Sequence, residues 1–411
     1  MTEYPPDWVV IELSDVGTWM SGGTPPTGNP AYWGGEIPWI SATSLKSFDI
    51  SDSERKVTEL GAISGTRRVP SGTVIFIVRG MSLKTEFRVG VTSRDVTFGQ
   101  DCKAIDTPAG VSSKFLAYAL KAKESEVLAM VDEAGHGTGR LPSTQLAQLR
   151  IGFPDEHQQN KIVDLLDSVD ESIRSTERLV AKLTRFRQGL IQQLLESGTS
   201  PLVASGWITR SVEQLGEVRL GRQRSPQSEA GSFMKPYLRV ANVFDGRIDF
   251  SDVLEMNFTP NEQAIYAVRN GDLLLNEGQS LDLVGRCAKY EGADGLFCFQ
   301  NTLIRYRCSK LLDPDFAYYV FSHWLRTGRF ADIAKQTTSI AHLGADRFAK
   351  MQMVIPPILE QRRIVSALKS VDESIRSTGQ LIDKLEQSKA GLMDDLLTGR
   401  VRVPAGEDIA V

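Results

Sequence analysis

The sequence predicts a mixed α/β (α+β) fold with two globular domains joined by two long helices that form an intramolecular antiparallel coiled coil. A half-length repeat indicates a pseudo-twofold relation between the halves, a heptad pattern indicates the helices, and short strand-like segments indicate the domains. The predicted segments are a first globular domain over 1–153, a first spacer helix over 154–198, a second globular domain over 199–355, a second spacer helix over 356–400 and a tail over 401–411.

The repeat is strongest in a stretch of nine residues. Ser168 to Thr176 reads SVDESIRST, and the same letters return from Ser370 to Thr378, 202 residues further on in a chain of 411. Upstream the match fades, but landmarks still pair if small gaps are allowed: Trp8 with Trp207, Gly17 with Gly216, Pro38 with Pro236, Gly72 with Gly271, and Gln100 with Gln300. Related modules that bind different ligands would show this divergence inside a duplicated frame, although drift under relaxed selection would look similar.

Composition excludes several classes of protein. A chain with 41% hydrophobic and 24% charged residues is an ordinary globular protein of two or three domains. The four cysteines form no close pair and the four histidines complete no zinc spacing, so we expect no structural metal and a reducing compartment. The N-terminus lacks the features of a signal peptide, and no apolar run approaches the ~20 residues of a membrane span. The expected location is therefore cytoplasmic.

Net charge argues against a uniformly basic DNA-coating protein. The chain carries a formal charge of −4, whereas phosphate neutralisation drives non-specific DNA affinity. One local exception runs from Arg219 to Arg247, which contains six cations and two anions and so has a local charge of +4.

Apolar residues in both long helices follow steps of four and three, which is the pattern of a coiled-coil seam. The predicted pairing residues are Ile162, Leu166, Val169, Ile173, Val180, Leu183, Leu190 and Leu194 in the first copy, and Ile364, Leu368, Val371, Ile375, Ile382, Leu385, Leu392 and Leu396 in the second. Thr176 and Thr378 form a polar layer, and Arg187 and Lys389 interrupt both seams at matching places. We expect these polar positions to fix the pairing register.

Two interpretations of the seams compete. They either dimerise the protein or pair antiparallel within one chain. The order domain, helix, domain, helix favours pairing within the chain, and Gly198 and Gly399 are suitable helix ends. At ~1.5 Å per residue, a helix of about 40 residues is about 60 Å long, so it could hold two domains apart.

Both globular segments contain a strand, an irregular loop and a second strand. The first set is predicted at 73–78, 79–88 and 89–92, and the second at about 272–275, 276–282 and 284–288. Loops on a rigid sheet are common recognition sites. Matched helices follow at 115–128 and 316–325, with Tyr118 and Tyr319 in equivalent places that suit a core.

Motifs for catalysis are weak. Asn29-Pro30-Ala31-Tyr32 differs by one residue from the Asn-Pro-Pro-Tyr tetrapeptide of amino-methyltransferases, but no glycine-rich cofactor loop accompanies it. Asp52, Glu54 and Lys56 resemble a nuclease triplet without its upstream carboxylate, and a solvated charge run explains them better. There is no phosphate-binding loop. The sequence therefore favours a protein that recognises a ligand over an enzyme.

Three further sets of motifs lie at the starts and ends of the predicted segments. The first half opens with Ser21-Gly22-Gly23-Thr24-Pro25 and Tyr32 to Ile40. Phe153-Pro154 with Gln158-Gln159, and Ile355-Pro356-Pro357 with Glu360-Gln361, come before the two helices, and Leu396 to Arg400 ends the second helix. Together they resemble the specificity subunit of type I restriction-modification systems: the opening resembles the start of that family's target recognition domain, and the other motifs resemble its signature before each helix and its helix ending. The second half departs more, since Val218 to Arg224 lacks the Gly-Gly-Thr-Pro form.

The resemblance implies a non-catalytic subunit that binds double-stranded DNA at an asymmetric split site, one half-site per target recognition domain. It implies two methyltransferase subunits as partners, a possible restriction (motor-nuclease) subunit, and no membrane. It implies no cofactor in this chain, with S-adenosylmethionine, ATP and Mg²⁺ on the partner subunits. A stand-alone methyltransferase or nuclease, and a coiled-coil scaffold whose domains bind protein, are the alternatives.

Candidate DNA contacts are polar side chains in or near the irregular loops, because Arg and Asn or Gln can each make two hydrogen bonds to a base edge. The candidates are Lys46, Arg79, Lys84 and Arg88 in the first domain and Arg222, Arg224, Arg239, Asn242, Gln279 and Arg286 in the second. A contact to phosphate, or a plain surface charge, is the alternative for each of them.

Overall fold

The chain forms two compact units, each built around one globular domain. The structure is a computed structural model and describes residues 4–134, 138–196, 206–336 and 339–403. The first unit is Met1–Arg178 with Gly379–Val411, and the second is Leu179–Thr378. Each unit thus contains one globular domain and a segment of both long helices.

The part of the chain up to the end of the first long helix supplies fourteen strands and five helices among its described residues. The strands are β1 Val9–Glu12, β2 Thr18–Ser21, β3 Trp33–Ile40, β4 Asp49–Ile50, β5 Lys56–Val57, β6 Arg67–Val69, β7 Val74–Ile77, β8 Arg79–Gly80, β9 Val89–Thr92, β10 Val96–Phe98, β11 Cys102–Asp106, β12 Asp132–Ala134, β13 Thr138–Arg140 and β14 Arg150–Phe153. The helices are α1 Glu59–Ile63, α2 Ser113–Ala122, α3 Glu124–Ala129, α4 Ser143–Ala147 and the long α5 Glu156–Glu196.

The rest of the described chain supplies fourteen further strands and six helices. The strands are β15 Ile208–Ser211, β16 Gly216–Leu220, β17 Met234–Leu238, β18 Val243–Phe244, β19 Arg247–Ile248, β20 Leu254–Asn257, β21 Leu273–Asn276, β22 Gly278–Gln279, β23 Cys287–Lys289, β24 Cys298–Phe299, β25 Leu303–Cys308, β26 Lys335–Gln336, β27 Ala341–His342 and β28 Gln352–Ile355. The helices are α6 Val212–Leu215, α7 Pro260–Tyr266, α8 Pro314–Arg326, α9 Arg329–Ile333, α10 Ala345–Ala349 and the long α11 Ile358–Leu397.

The sheets of the two domains correspond in strand order, although the two larger sheets of the second domain each have one strand fewer and β18-β19 forms a separate pair. The order β2-β11-β7-β9-β4 in the first domain corresponds to β16-β25-β21-β23 in the second, and β5-β3-β10-β6 corresponds to β20-β17-β24. In each of the latter sheets one pair is parallel, β3 with β10 and β17 with β24. The small sheets also match, β12-β13-β8 with β22-β27-β26 and β1-β14 with β15-β28. The predicted pseudo-repeat is therefore a repeat of fold.

Two landmark glycines show why the fainter matches persist. Gly72 precedes the buried strand β7 with φ +87°, and Gly271 precedes the buried strand β21 with φ +86°. This left-handed conformation favours glycine in the turn before each strand.

Each long helix is fixed at its start by a buried glutamine. The Gln159 side chain donates to Pro154 O at 2.9 Å and to Gly110 O, and accepts from the backbone N of Ser112. Gln361 makes the same three bonds, to Pro356 O at 2.8 Å, to Leu311 O and from the backbone N of Asp313. Both amides are satisfied inside the protein, as buried polar groups must be. The Pro and Gln of the sequence signature thus attach each helix to its own domain.

In the first unit, the start of α5 packs against the end of α11. Ile162 and Leu166 share a hydrophobic core with Leu396 and Leu397. Further along α5, Asp170 accepts from Lys389 Nζ at 2.6 Å. The contacts thus move forward along α5 and backward along α11, so the two helices are antiparallel. Tyr118 donates to Asp170 at 2.7 Å and is 1% exposed. We call Tyr118, Asp170 and Lys389 the first triad.

The second unit repeats this contact with the helices exchanged. Near the end of α5, Ile191 shares a core with Ile364 and Leu368 at the start of α11. Asp372 accepts from Tyr319 at 2.7 Å and forms a short ion pair with Arg187. We call Tyr319, Asp372 and Arg187 the second triad, which is the first triad's equivalent under the 202-residue shift of the helices.

Burial, followed by the hydrogen-bonded carboxylate, raises the pKa of Tyr118 and of Tyr319 well above the usual range of tyrosine. Both hydroxyls therefore remain donors at neutral pH. The predicted cores around these tyrosines are confirmed, and the hydroxyls add a polar link to the helices.

The predicted seam and antiparallel pairing are confirmed within each unit. Between 171 and 190, every residue of α5 that is not exposed is a predicted seam position, including Thr176 and Arg187. The cations take part in pairing, as predicted. The threonines do not bond across the seam, because Thr176 donates to Ser172 O and Thr378 to Ser374 O in their own helices. The Leu194 side chain and Gly198 lie outside the described residues.

Some element predictions need correction. The helix predicted over 115–128 is two helices, α2 and α3, joined at Lys123. The loop predicted over 79–88 contains the short strand β8, and the second strand of the other domain is β23 rather than 284–288. Gly399 lies two residues beyond α11 with φ +72°, the left-handed conformation expected after a helix end.

Replacing Arg187 by Leu removes the cation from a half-buried carboxylate, so we expect the free energy of unfolding to fall by about 1–3 kcal/mol. Lys389→Leu should act in the same way on Asp170. Arg187→Lys should retain most of the stability, since lysine already serves in the first triad. Arg178, whose side chain is 65% exposed on α5, offers the control Arg178→Leu. Denaturant unfolding measures these effects, and equal stability of Arg187→Leu and the control would contradict a structural role for the triad.

Candidate nucleic-acid interface

The two predicted recognition loops occupy equivalent places. β7 and β21 are buried at every residue, and each leads directly into a short strand, β8 or β22, in a small three-stranded sheet. β8 pairs with β13, and β22 pairs with β27. The buried strand gives each small sheet a rigid base, which suits a surface that must hold side chains in fixed positions.

In the first domain this small sheet presents cations. Arg79 is exposed on β8, and its cross-strand partner is Arg140 on β13. Directly opposed like charges repel each other unless an anion lies nearby. On its other side, Arg140 lies opposite Asp132 in the strand register. Neither arginine has an ion-pair partner within 4 Å among the described residues. Lys84 is exposed in the single 3-10 turn that follows β8.

Arg140 was absent from the sequence-based candidates. Only the strand register brings it beside Arg79, because the two residues are far apart in the chain. A signal was present in the sequence, where Thr138-Gly139-Arg140 follows the glycine-rich letters Gly135-His136-Gly137. The corresponding residues of the second domain include His342, whose Nδ1 lies 2.9 Å from Glu277.

Lys46 and Arg88 lie together at a separate place in the first domain. Both line a cavity of about 120 Å³ that also contains Lys121 and Lys389. Lys46 is 3.9 Å from Glu54, and Arg88 donates to Glu86 at 2.9 Å. The structure therefore divides the four predicted residues of this domain between two surfaces.

In the second domain, Arg222 is held inside the protein. Its guanidinium donates to Glu262 at 2.6 Å and to Asn257 O at 2.8 Å, and it lies over the ring of Phe258. Burial opposes the charge of Glu262, but hydrogen bonds from Thr259 and Arg222 lower the pKa of this carboxyl below its usual value. The arrangement supports the local fold.

The local charge of +4 predicted for this region is not a free basic surface. Five of its six cations have carboxylate partners within 4 Å: Arg219 with Glu217, Arg222 with Glu262, Arg224 with Glu229, Arg239 with Asp252, and Arg247 with Asp249. Four of these acids lie outside the stretch over which the charge was counted. Counting along the sequence therefore missed them.

Asn242 also has a structural position. It is 2% exposed, and its amide donates to Asp249 O and Asp252 O while its carbonyl accepts from the Arg239 backbone. We therefore expect Asn242 to hold its loop rather than to contact a base.

Gln279 and Arg286 remain compatible with ligand contact. Gln279 lies on β22, with its carbonyl oxygen 3.1 Å from the Ser280 backbone N. Arg286 stacks 4.9 Å from the centre of the Phe244 ring, and its buried Nε has no hydrogen-bond partner in the described part of the chain. Burial lowers the pKa of Arg286, with the nearby charge of Asp245 opposing this effect.

Within the described residues there is no cluster of three or more metal-ligating side chains, and no helix is long and apolar enough to cross a membrane. Asn29 of the methyltransferase-like tetrapeptide caps a 3-10 turn by accepting from Ala31 N, while Lys56 forms a surface ion pair with Asp52. Both motifs thus have structural roles.

The chain matches the sequence model of the type I restriction modification DNA specificity domain twice, over residues 5–185 and 204–387. The two matches cover most of the chain, and each contains one globular domain with part of its long helix. The chain belongs to this family. Members are the specificity subunits of type I restriction-modification systems and are not their catalytic subunits, which confirms the predicted family and its non-catalytic role.

The chain is similar to specificity subunits of type I restriction enzymes, in one case over nearly its full length. The specificity subunit of the type I restriction enzyme MjaIX from Methanocaldococcus jannaschii is 23% identical over 420 residues, which covers 97% of this chain and 94% of the relative. The EcoR124I/EcoR124II specificity subunit from Escherichia coli is 26% identical over 178 residues, 43% of this chain and 44% of that subunit.

Solved structures show the same fold. The S subunit of a type I restriction-modification system from M. genitalium superposes with a TM-score of 0.56 at 14% identity, covering 95% of this chain and 96% of that one. A chain from a study of complex assembly and conformational transition in the type I system has a TM-score of 0.63 at 17% identity, with 97% and 100% covered.

Arg222 and Arg224 should behave differently when replaced by Ala. Arg222→Ala leaves Glu262 without its cation, so we expect the free energy of unfolding to fall by about 1–2 kcal/mol. Arg224 is half exposed, and Arg224→Ala should change stability by less than about 0.5 kcal/mol. Thermal unfolding compares the two variants. Equal stability of both would contradict the structural role of Arg222.

Proposed function

We propose that this chain reads an asymmetric, bipartite DNA target, with one half-site bound by each globular domain. The observation that carries the proposal is one fold present twice with different side chains on equivalent surfaces. β8 and β13 present Arg79 and Arg140, whereas β22 presents Gln279. Arginine pairs best with guanine edges and glutamine with adenine edges. Different surfaces on one framework are what two different half-sites require.

The candidate contacts then fall into two groups. Arg79, Arg140 and Lys84 are the proposed contacts of the first domain, and Gln279 and Arg286 those of the second. Lys46, Arg88, Arg224 and Arg239 are proposed as contacts to phosphate, since a cation with a carboxylate neighbour can exchange that neighbour for the DNA backbone. Arg222 and Asn242 support the loops that carry these residues.

Two copies of a methyltransferase subunit are the proposed partners, with a restriction subunit as a possible addition. Support comes from exposed residues on the long helices that are the same in both copies. Leu179 and Leu381 are each 47% exposed and lie outside the seam. Gly189 and Gly391 lie inside helices with open space where a Cβ would be. A helix-interior glycine costs about 1 kcal/mol relative to alanine, so close approach of a partner explains its presence better than the fold does.

In this proposal the chain itself holds no cofactor. S-adenosylmethionine, ATP and Mg²⁺ belong to the partner subunits, and the complex acts on DNA in the cytoplasm. The chain recognises the DNA sequence and positions the partner subunits on it.

Mapping of methylated adenines in cells that express the complex tests the DNA proposal. The unmodified chain should give one split motif with two unlike halves. Arg79→Ala with Arg140→Ala should relax the first half by about 10-fold or more while the second half stays intact, and Gln279→Ala should do the reverse. Arg67→Ala, at an exposed arginine of strand β6 in the first domain, is the control.

Uniform weakening across all sequences in that experiment would indicate phosphate contacts instead. A symmetric motif would contradict one half-site per domain, and DNA modification by the purified chain alone would support the stand-alone enzyme.

Replacing Leu179 and Leu381 together by Asp tests the partner surface. We expect the affinity for the methyltransferase subunit, measured by pull-down, to fall about 10-fold or more. The fold should not change, because both side chains face solvent. Leu165 is 43% exposed but is not repeated, so Leu165→Asp is the matched control. Equal binding by the double variant and the control would contradict this surface.

A further inference from the structure

One contact between each globular domain and its own long helix is reversed in charge between the two halves. In the first unit, Lys114 is the second residue of α2, and its Nζ lies 2.6 Å from Asp167 of α5. The same Nζ lies 3.5 Å from Asp49. A central cation thus has two carboxylate neighbours.

In the second unit, a central carboxylate has two cationic neighbours. Asp315 is the second residue of α8, and its Oδ2 lies 2.7 Å from Lys369 of α11. Its Oδ1 forms a short ion pair with Lys289. Asp167 and Lys369 are equivalent, since each directly precedes one copy of the repeated nine residues.

In each cluster the neighbouring side chains stabilise the charged form of the central residue. Burial alone would lower the pKa of Lys114, but the hydrogen bond to Asp167 and the charges of Asp167 and Asp49 raise it above its usual value. Burial alone would raise the pKa of Asp315, but hydrogen bonds from Lys289 and Lys369 lower it. Lys114 and Asp315 are therefore charged at neutral pH.

Two other polar contacts between each domain and its helix are the same in both halves. The glutamine at each helix start makes the same three hydrogen bonds, and each triad links a tyrosine to an aspartate. These contacts would form equally well if a domain met the wrong helix. The reversed ion pairs would not, because Lys114 would then face Lys369, and Asp315 would face Asp167.

We propose that the pairs Lys114–Asp167 and Asp315–Lys369 are specificity-determining contacts that match each globular domain to its own long helix. Correct pairs attract and mismatched pairs repel, so the difference between the two arrangements is the sum of both effects. The mismatch arises whenever a domain meets the other helix, as between two copies of this chain or in a chain with an exchanged domain. The contacts thereby help to determine which reading surface is attached to which helix.

The test uses Lys369→Asp in two settings. In the natural chain the variant places a carboxylate against Asp315, and we expect the midpoint of thermal unfolding to fall by about 2–4 °C. The second setting is a full-length chimaera in which residues 7–153 replace residues 206–355, so that a second copy of Lys114 faces Lys369. There the same substitution restores a pair like Lys114–Asp167, and the midpoint should rise by about 2–4 °C.

The reversal of sign is the decisive result, because a general effect on helix stability would act in the same direction in both chains. Lys384→Asp, at another exposed lysine of α11, is the control and should have the same small effect in both. A fall in midpoint in both chains, or no change in either, overturns the proposal.

A second pair of variants decides the matter if the chimaera does not fold. Lys114→Asp in the natural chain should lower the midpoint of thermal unfolding, because the new carboxylate faces the two carboxylates of Asp49 and Asp167. Adding Asp167→Lys should recover part of the loss, with Asp49 supplying a further attraction to the new lysine. No recovery overturns the proposal.

Discussion

The arrangement of each half depends on a single aspartate, the third residue of the repeated nine. Asp170 accepts from the buried hydroxyl of Tyr118 and from Lys389, and Asp372 accepts from Tyr319 and Arg187. A partly buried carboxylate is costly to leave without partners. One side chain therefore links a globular domain to its own helix, and that helix to the other.

This link explains why the nine repeated residues are identical while the side chains of the small sheets differ. The nine repeated residues include the aspartate and the seam positions around it, so a change in either copy affects a domain contact and a helix contact together. The small sheets at β8 and β22 have no such constraint, because their side chains project from a base that the buried strands β7 and β21 already hold. Divergence at Arg79 and Gln279 consequently leaves the framework intact. An identical nine-residue segment and two small sheets with different side chains are thus two results of one construction.

Periodicity predicted the parts of the fold in which neighbours in sequence decide the structure. The seam from Ile162 to Leu190 was predictable because its spacing alone defines a helix face. The role of Asp170 was not, since its tyrosine and lysine partners lie far away in the chain. The net charge counted from Arg219 to Arg247 was misleading for the same reason. Its neutralising acids include Glu262 and Asp252, which a local count omits. Arg140 became a candidate only through the register of β8 and β13.

A double-mutant cycle on Asp372 and Arg187 tests the central link most directly. The free energy of unfolding is measured for the natural chain, Asp372→Ala, Arg187→Ala and the double variant, and the cycle is repeated with Asp170 and Lys389. We expect a coupling energy of about 1–2 kcal/mol in both cycles, because each pair is close and partly buried. Additive effects, within about 0.5 kcal/mol in both cycles, would contradict the conclusion that these aspartates hold the two helices together.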